Sequence, residues 1–332
     1  MSASKSTFKN PLLNYGPDPW AMYQDGFYYY THSTHDSLTI WKTADITKLE
    51  QAEQKVVWKA PGKGPFSKNV WAPELNYLND GQGNKCWYAY LSAGDEGNAS
   101  DQRIWVLVNN NPDPLKGDWQ VQGELKTPND KWSIDGTVID VDGQLYLAWS
   151  GWEANDNSGQ NIYFCRMSNP WTCVGERLLL SAPTLPWERH FQDSNPDNPR
   201  KEVYINEAPA SFRHGSHLFV AYSASACWTD DYAMGLLTVR LDSDLMQADS
   251  WEKAPNPVFK TSVRNSVYGP GHGCFFQTVN GQNWLLYHAN PGSDKGCENE
   301  RTPRLQRIRW HRNGMPNFGV PAAEKTTIEK PA

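Results

Sequence analysis

Five segments of this chain follow one pattern, and that repetition limits the folds open to it more than any other feature. They read YGPDPWAMYQDGFYYYTHS from Tyr15, VWAPELNYL…CWYAYLS from Val70, IDGTVIDVDGQLYLAWS from Ile134, NEAPASFRHGSHLFVAYS from Asn206 and GHGCFFQTVNGQNWLLYHA from Gly271. Each opens with a polar residue beside Pro, Gly or Ala, continues as an apolar run, turns at a Gly and ends in an aromatic-rich strand. Asp18, Glu74, Asp135, Glu207 and His272 mark the openings, 56, 61, 72 and 65 positions apart. A degenerate repeat of this period, built of strands and turns, is the signature of radially repeated β-sheets. Around one axis the five openings converge, and carboxylates distant in sequence meet in one pocket.

The repeats run from about residue 15 to 320 of 332, which leaves little chain for a second domain. We therefore expect an all-β, five-bladed β-propeller in one domain, 1–332, with blades at roughly 15–65, 66–130, 131–200, 201–265 and 266–320. Short runs such as Phe27–Tyr30, Leu145–Trp149 and Leu218–Tyr222 follow turn pairs (Asp25-Gly26, Asp142-Gly143, His214-Gly215) as hairpin strands do. A second apolar run after each, for example Ile104–Val108 or Gly235–Val239, suits an outer strand. No window holds a 3.6-residue apolar period for three turns, so almost no helix is expected and each blade should have about four antiparallel strands. Polar stretches at 95–101, 153–160 and 193–200 read as rim loops, and the tail after Pro321 has no periodicity and is expected to be mobile.

With 31 basic against 37 acidic residues the net charge is −6, which argues against nucleic acid as a partner. There is no 18-residue apolar run, so no membrane partner is expected either. The first residues, MSASKSTFKNPLL, lack the apolar core of a secretory signal. The expectation is a cytoplasmic protein, or a secreted one whose signal was trimmed. Six cysteines include no zinc-spaced cluster; Cys165 and Cys173 face each other across the turn SNPWT, as a disulfide or as buried thiols. Many of the 16 Trp and 15 Tyr must pack the core, but so many in a polar chain also suggest aromatic platforms for sugars, whose C–H faces are apolar.

Among the markers, Asp18 lies in Gly-Pro-Asp-Pro-Trp, where two prolines stiffen the backbone; it reads as a water-orienting group or as a turn cap. Asp135, in Ser-Ile-Asp-Gly-Thr, has the same two readings. Glu207 sits between apolar residues in Ile-Asn-Glu-Ala-Pro, where desolvation should raise its pKa toward that of a general acid. Glu74 reads as structural. Carboxylates converging on one cavity repel each other and separate their pKa values, which suits hydrolysis of a glycosidic bond.

On Gly16-Pro17-Asp18-Pro19, Val70-Trp71-Ala72-Pro73-Glu74, Ile134-Asp135-Gly136-Thr137, Glu207-Ala208-Pro209 and Gly269-Pro270-Gly271-His272, in this order, the chain resembles glycoside hydrolase family 43. Arg304-Leu305-Gln306 and Gly314–Gly319 extend the resemblance to nearly the whole chain. It implies a five-bladed propeller that cleaves arabinose- or xylose-containing polysaccharides with inversion. Asp18 would be the general base, Glu207 the general acid and Asp135 the residue that tunes and orients the acid. Inversion requires room for a water, with the Asp18 and Glu207 carboxyl groups roughly 6.5–9.5 Å apart. Arg304 matches an arginine that reaches the innermost sugar, and Trp71 and Trp152 are candidate stacking residues. The resemblance implies no required cofactor, but places His272 in the central channel beside a calcium or other cation held through waters; a hydrogen-bonded core role is the alternative. The Ser-Gly-Trp and Ser-Asn-Pro-Trp-Thr stretches are most similar to exo-acting α-1,5-L-arabinofuranosidases, whose substrates are arabinan and arabino-oligosaccharides. A β-xylosidase, an endo-arabinanase and a non-catalytic sugar-binding propeller are the alternatives.

Overall fold

A computed structural model describes residues 6–192, 201–297 and 299–332. Five four-stranded antiparallel sheets form the body, each made from one contiguous stretch of chain. Blade 1 contains Trp20–Gln24, Phe27–Thr31, Ser37–Thr43 and Glu53–Lys59; blade 2, Lys68–Asn79, Lys85–Gly94, Arg103–Asn109 and Gln120–Glu124. Blade 3 contains Ser133–Val141, Gln144–Gly151, Asn161–Asn169 and Thr172–Ser181. Asn206–His214, His217–Ala224, Ala233–Arg240 and Trp251–Lys253 make blade 4, and Tyr268–Gln277, Asn283–Asn290, Thr302–Trp310 and Pro316–Asn317 make blade 5. Helix is confined, among the described residues, to short 3-10 turns, and none is long and apolar enough to cross a membrane.

The continuous apolar runs have a simple cause. Side chains alternate along a strand, and here both faces of a blade are covered by neighbouring blades. In Lys85–Gly94, Cys86, Tyr88 and Tyr90 pack toward blade 3, while Trp87, Ala89 and Leu91 pack toward blade 1. Five such clusters occupy the five interfaces; the one closing the ring joins Tyr28 and Trp41 of blade 1 to Cys274, Phe276 and Trp284 of blade 5. Much of the tryptophan is spent here: Trp87, Trp149 and Trp284 are among the largest fully buried side chains.

Two expectations change. The second apolar run of each repeat is the third strand, not the outermost. The outermost strands, such as Glu53–Lys59 and Gln120–Glu124, are polar and mostly exposed, and so carry little apolar signal. The tail is also held: Ile328–Glu329 pairs with Thr7–Phe8, and Lys330 Nζ lies 2.6 Å from Asp45. The 193–200 loop lies outside the described residues.

Candidate active site

Each blade kinks at its opening. Asp18, Ala72, Asp135, Ala208 and His272 all have positive φ (53, 44, 55, 51 and 41°), a conformation uncommon for residues other than glycine. Each is followed by Pro19, Pro73, Gly136, Pro209 or Gly273. The pairing register shifts at the kink in blades 2 to 5, and a proline there has no N–H for the interrupted ladder to orphan. This alignment corrects the repeat read from sequence: the position equivalent to Asp18 is Ala72 in blade 2 and Ala208 in blade 4. Glu207 therefore precedes its kink by one residue and Glu74 follows its kink by two.

Those offsets decide what each side chain faces. Trp71, Ile134 and Glu207, the residues before the kinks, line an open cavity of about 650 Å³, together with Asp18, Asp135 and His272. Ala72, Glu74, Ala208 and the prolines after the kinks line a second, small cavity of about 10 Å³, which Asp18 and His272 also border. Glu74 lines only that small cavity, where burial holds its carboxyl well above the usual range.

The three other carboxylates are in distinct electrostatic settings. Asp18 Oδ1 lies 2.9 Å from Arg301 Nη1 and 3.2 Å from His272 Nδ1, and Ser33 Oγ donates to Oδ2 at 2.6 Å. Burial alone would raise its pKa, but the Arg301 guanidinium, with His272 and the Ser33 hydroxyl, outweighs burial and holds it well below the carboxylate range. His288 stays neutral, driven well down by burial and Arg301; its Nδ1 accepts from the Asp18 N–H at 3.0 Å, so the 3.5 Å approach to Oδ1 is not an ion pair. Glu207 is pushed up to about 7, mainly by burial and further by the Asp18 charge, against the opposing hydrogen bond from Tyr232 Oη to Oε1 (2.8 Å) and Arg301. Asp135 is raised well above its ordinary value by burial and by Glu207, although its Oδ2 accepts the Ala208 N–H at 3.0 Å. An ionised group and a proton-bearing group thus face one cavity at neutral pH.

Aromatic walls surround them. Trp132 and Trp152 stack face to face (4.9 Å, 9°), and both line the cavity with Trp71 and Trp228. One face of Trp152 is therefore covered by Trp132, and Trp71 is the more accessible of the two candidates. The 95–101 loop contributes Asn98, Ala99 and Ser100 to the wall and is tied to blade 3 by Trp132 Nε1, which donates to Ala99 O at 2.8 Å.

The chain belongs to glycosyl hydrolase family 43. The family model matches residues 8–316. The chain is 34% identical to an extracellular exo-α-(1→5)-L-arabinofuranosidase of Streptomyces avermitilis, over 97% of this chain and 65% of that protein, so it spans about two thirds of that relative's length. A protein of the same name from Streptomyces chartreusis is 33% identical over 85% of this chain and 82% of its own. The structure of an α-L-arabinofuranosidase from Lactobacillus brevis superposes with a TM-score of 0.85 at 30% identity, covering 96% of this chain and 98% of that one.

Within this family 43 fold two expectations need correction. Arg304 does not line the cavity: it is fully buried, bonded to Thr302 and Glu324, and Arg301 occupies the wall instead. Arg301 ends the loop that precedes the strand Thr302–Trp310, whereas Arg304 lies within that strand with its side chain in the interior. His272 is engaged with Asp18, whose charge Arg301 already matches, and among the described residues no group of three or more His, Cys, Asp or Glu gathers to hold a metal. These residues do not fit direct ligation of a cation, and the expectation of one held through waters beside His272 stands as it was. The cytoplasmic assignment is overturned by the two Streptomyces relatives, both named extracellular; a missing apolar stretch in the first residues does not report where the folded chain works.

Sequence reasoning missed Arg301, Tyr232, Trp132 and Trp228. Tyr232 reaches Glu207 because Gly271 leaves room: a Cβ there would stand 2.4 Å from the tyrosine ring. A legible trace did exist for the kink partners, since four of the five repeats end in Ser33, Ser92, Ser150 and Ser223, with His288 near the end of the fifth.

Proposed function

We propose that this chain is an inverting, exo-acting α-L-arabinofuranosidase that releases L-arabinose from α-1,5-linked arabinan and arabino-oligosaccharides outside the cell. The observation that carries this reading is the pairing of an ionised Asp18 with a Glu207 carboxyl raised to about 7 on one aromatic-walled cavity. In the proposed reaction Asp18 accepts a proton from a water as its oxygen attacks the anomeric carbon. Glu207 gives its proton to the departing glycosidic oxygen, and the configuration inverts. Asp135 acts through the acid: its Oδ2 accepts the Ala208 amide next to Glu207, and the two carboxyl groups lie close enough that Glu207 raises Asp135. Trp71 offers a face to the sugar and Arg301 keeps Asp18 oriented. The reaction uses no cofactor, and no step runs through a cation. The 95–101 loop closes part of the rim, which favours release of terminal units over cleavage within a chain.

The deciding experiment incubates the protein with linear α-1,5-arabino-oligosaccharides and, separately, xylo-oligosaccharides, and follows the released anomer by NMR. Arabinose appearing first as the β-anomer is the expected result. Xylose release would move the reading to a β-xylosidase, internal cleavage products to an endo-arabinanase, and no release to a sugar-binding propeller.

A further inference from the structure

Two cysteines with no part in the reaction above line the same cavity as the carboxylates. Cys227 lies in the loop between the second and third strands of blade 4, and Cys297 in the equivalent loop of blade 5. Both are partly exposed, and neither is in a disulfide. The loops are already docked: Asp230 accepts from the Asp294 N–H at 3.1 Å and from the Ser293 hydroxyl, while Asn290 Nδ2 holds Gly296 O at 2.8 Å. At this junction the two thiols are hydrogen-bonding neighbours, and Arg301 senses both.

We propose that Cys227 and Cys297 form a disulfide across the wall of the active-site cavity, made by exchange with a small disulfide of the glutathione class. One protein thiolate attacks a sulfur of the oxidised glutathione, forming a mixed disulfide and expelling one glutathione thiolate. The second protein thiol then attacks the mixed disulfide at the protein sulfur and expels the other glutathione. The protein loses two electrons and two thiol protons, and both glutathiones leave as thiols. The bond would clamp the loop that delivers Arg301, four residues beyond Cys297, onto the loop that delivers Trp228. It would also close a long segment of chain, which limits the unfolded state. Cys165 and Cys173 provide an internal comparison. They too are neighbouring thiols, but Cys165 is buried in the cluster between blades 2 and 3, so exchange there can begin only at the partly exposed Cys173.

The neighbouring Cys297 sulfur, together with burial, holds Cys227 well above the ordinary thiol value, so the exchange is best run near pH 8.5, about the ordinary thiol pKa. The folded protein is treated with oxidised glutathione, alkylated, digested without reduction and mapped by mass spectrometry, alongside Cys227→Ser and Cys297→Ser. The expected result is a linked Cys227–Cys297 peptide about 2 Da lighter than the sum of its reduced halves. It should form ahead of any Cys165–Cys173 link. The oxidised protein should melt about 5 °C higher, reversibly with dithiothreitol, and the increment should be absent from both serine variants. Separate alkylation of both cysteines, or glutathione left on one of them without a cross-link, would overturn the proposal. The readout is a mass, independent of which glycoside the protein cleaves.

Discussion

Four of the five blades hold their kink in the same way, and the fourth blade does not. The kink amide of Asp18 donates to His288 of blade 5, that of Ala72 to Ser33 Oγ of blade 1 (2.7 Å), that of Asp135 to Ser92 Oγ of blade 2 (3.0 Å) and that of His272 to Ser223 Oγ of blade 4 (2.8 Å). Each acceptor comes from the preceding blade, so the caps form a ring. At blade 4 the matching serine, Ser150, instead donates to Asn206 O (2.9 Å), and the Ala208 amide is taken by the Asp135 carboxylate. One serine-for-carboxylate exchange thus brings a second acid beside Glu207. The repeat supplies a rigid ring, and chemistry is placed where the repeat is broken.

Variants can break this contrast or sharpen it. The largest effect is expected from Glu207→Gln, which keeps the shape but has no proton to give: kcat should fall by roughly 10²–10⁴-fold on oligosaccharides. Aryl arabinofuranosides with acidic leaving groups should be affected much less, and an equal loss on both would argue against an acid role.

Asp135 separates capping from chemistry. Asp135→Asn can still accept the Ala208 amide, whereas Asp135→Ala cannot. Both should lower kcat by about 10²-fold with little change in KM if the carboxyl acts on the acid. Full turnover in the Asn variant would reduce Asp135 to the capping role its serine counterparts play.

The pH profile of kcat/KM tests the two settings together. Activity should decline as pH rises through about 7, where Glu207 loses its proton, and show no acid limb in the ordinary carboxylate range, because Asp18 remains ionised there. Arg301→Gln removes the cation that depresses Asp18, so an acid limb should move up into view. Tyr232→Phe removes a donor that favours the Glu207 carboxylate, so the alkaline limb should shift to higher pH with a change in kcat below about 10-fold.

Ser92→Ala and Ser223→Ala carry the smallest expected effect on rate. Each leaves a kink amide without its acceptor, which should cost about 1–3 kcal/mol of stability, read as a lower melting temperature with turnover nearly unchanged. A large loss of rate in either would mean that the caps and the catalytic carboxylates do not act separately.

The strands, their hairpins, the five-fold order and a shared pocket for Asp18, Asp135 and Glu207 were legible in the sequence, because alternation and turn chemistry are local and each repeat carries its own copy. The outermost strands were not, since a polar edge has no apolar period. Arg301 rather than Arg304, the second, small cavity for Glu74, the reach of Tyr232 past Gly271 and the meeting of Cys227 with Cys297 were decided by tertiary structure alone. A kink shifts the register by a residue or two, and the period-2 strand turns that shift into a change of face. Which blade then supplies the acceptor, the cation or the second thiol depends on chain 39 to 283 residues away, where no local pattern reaches.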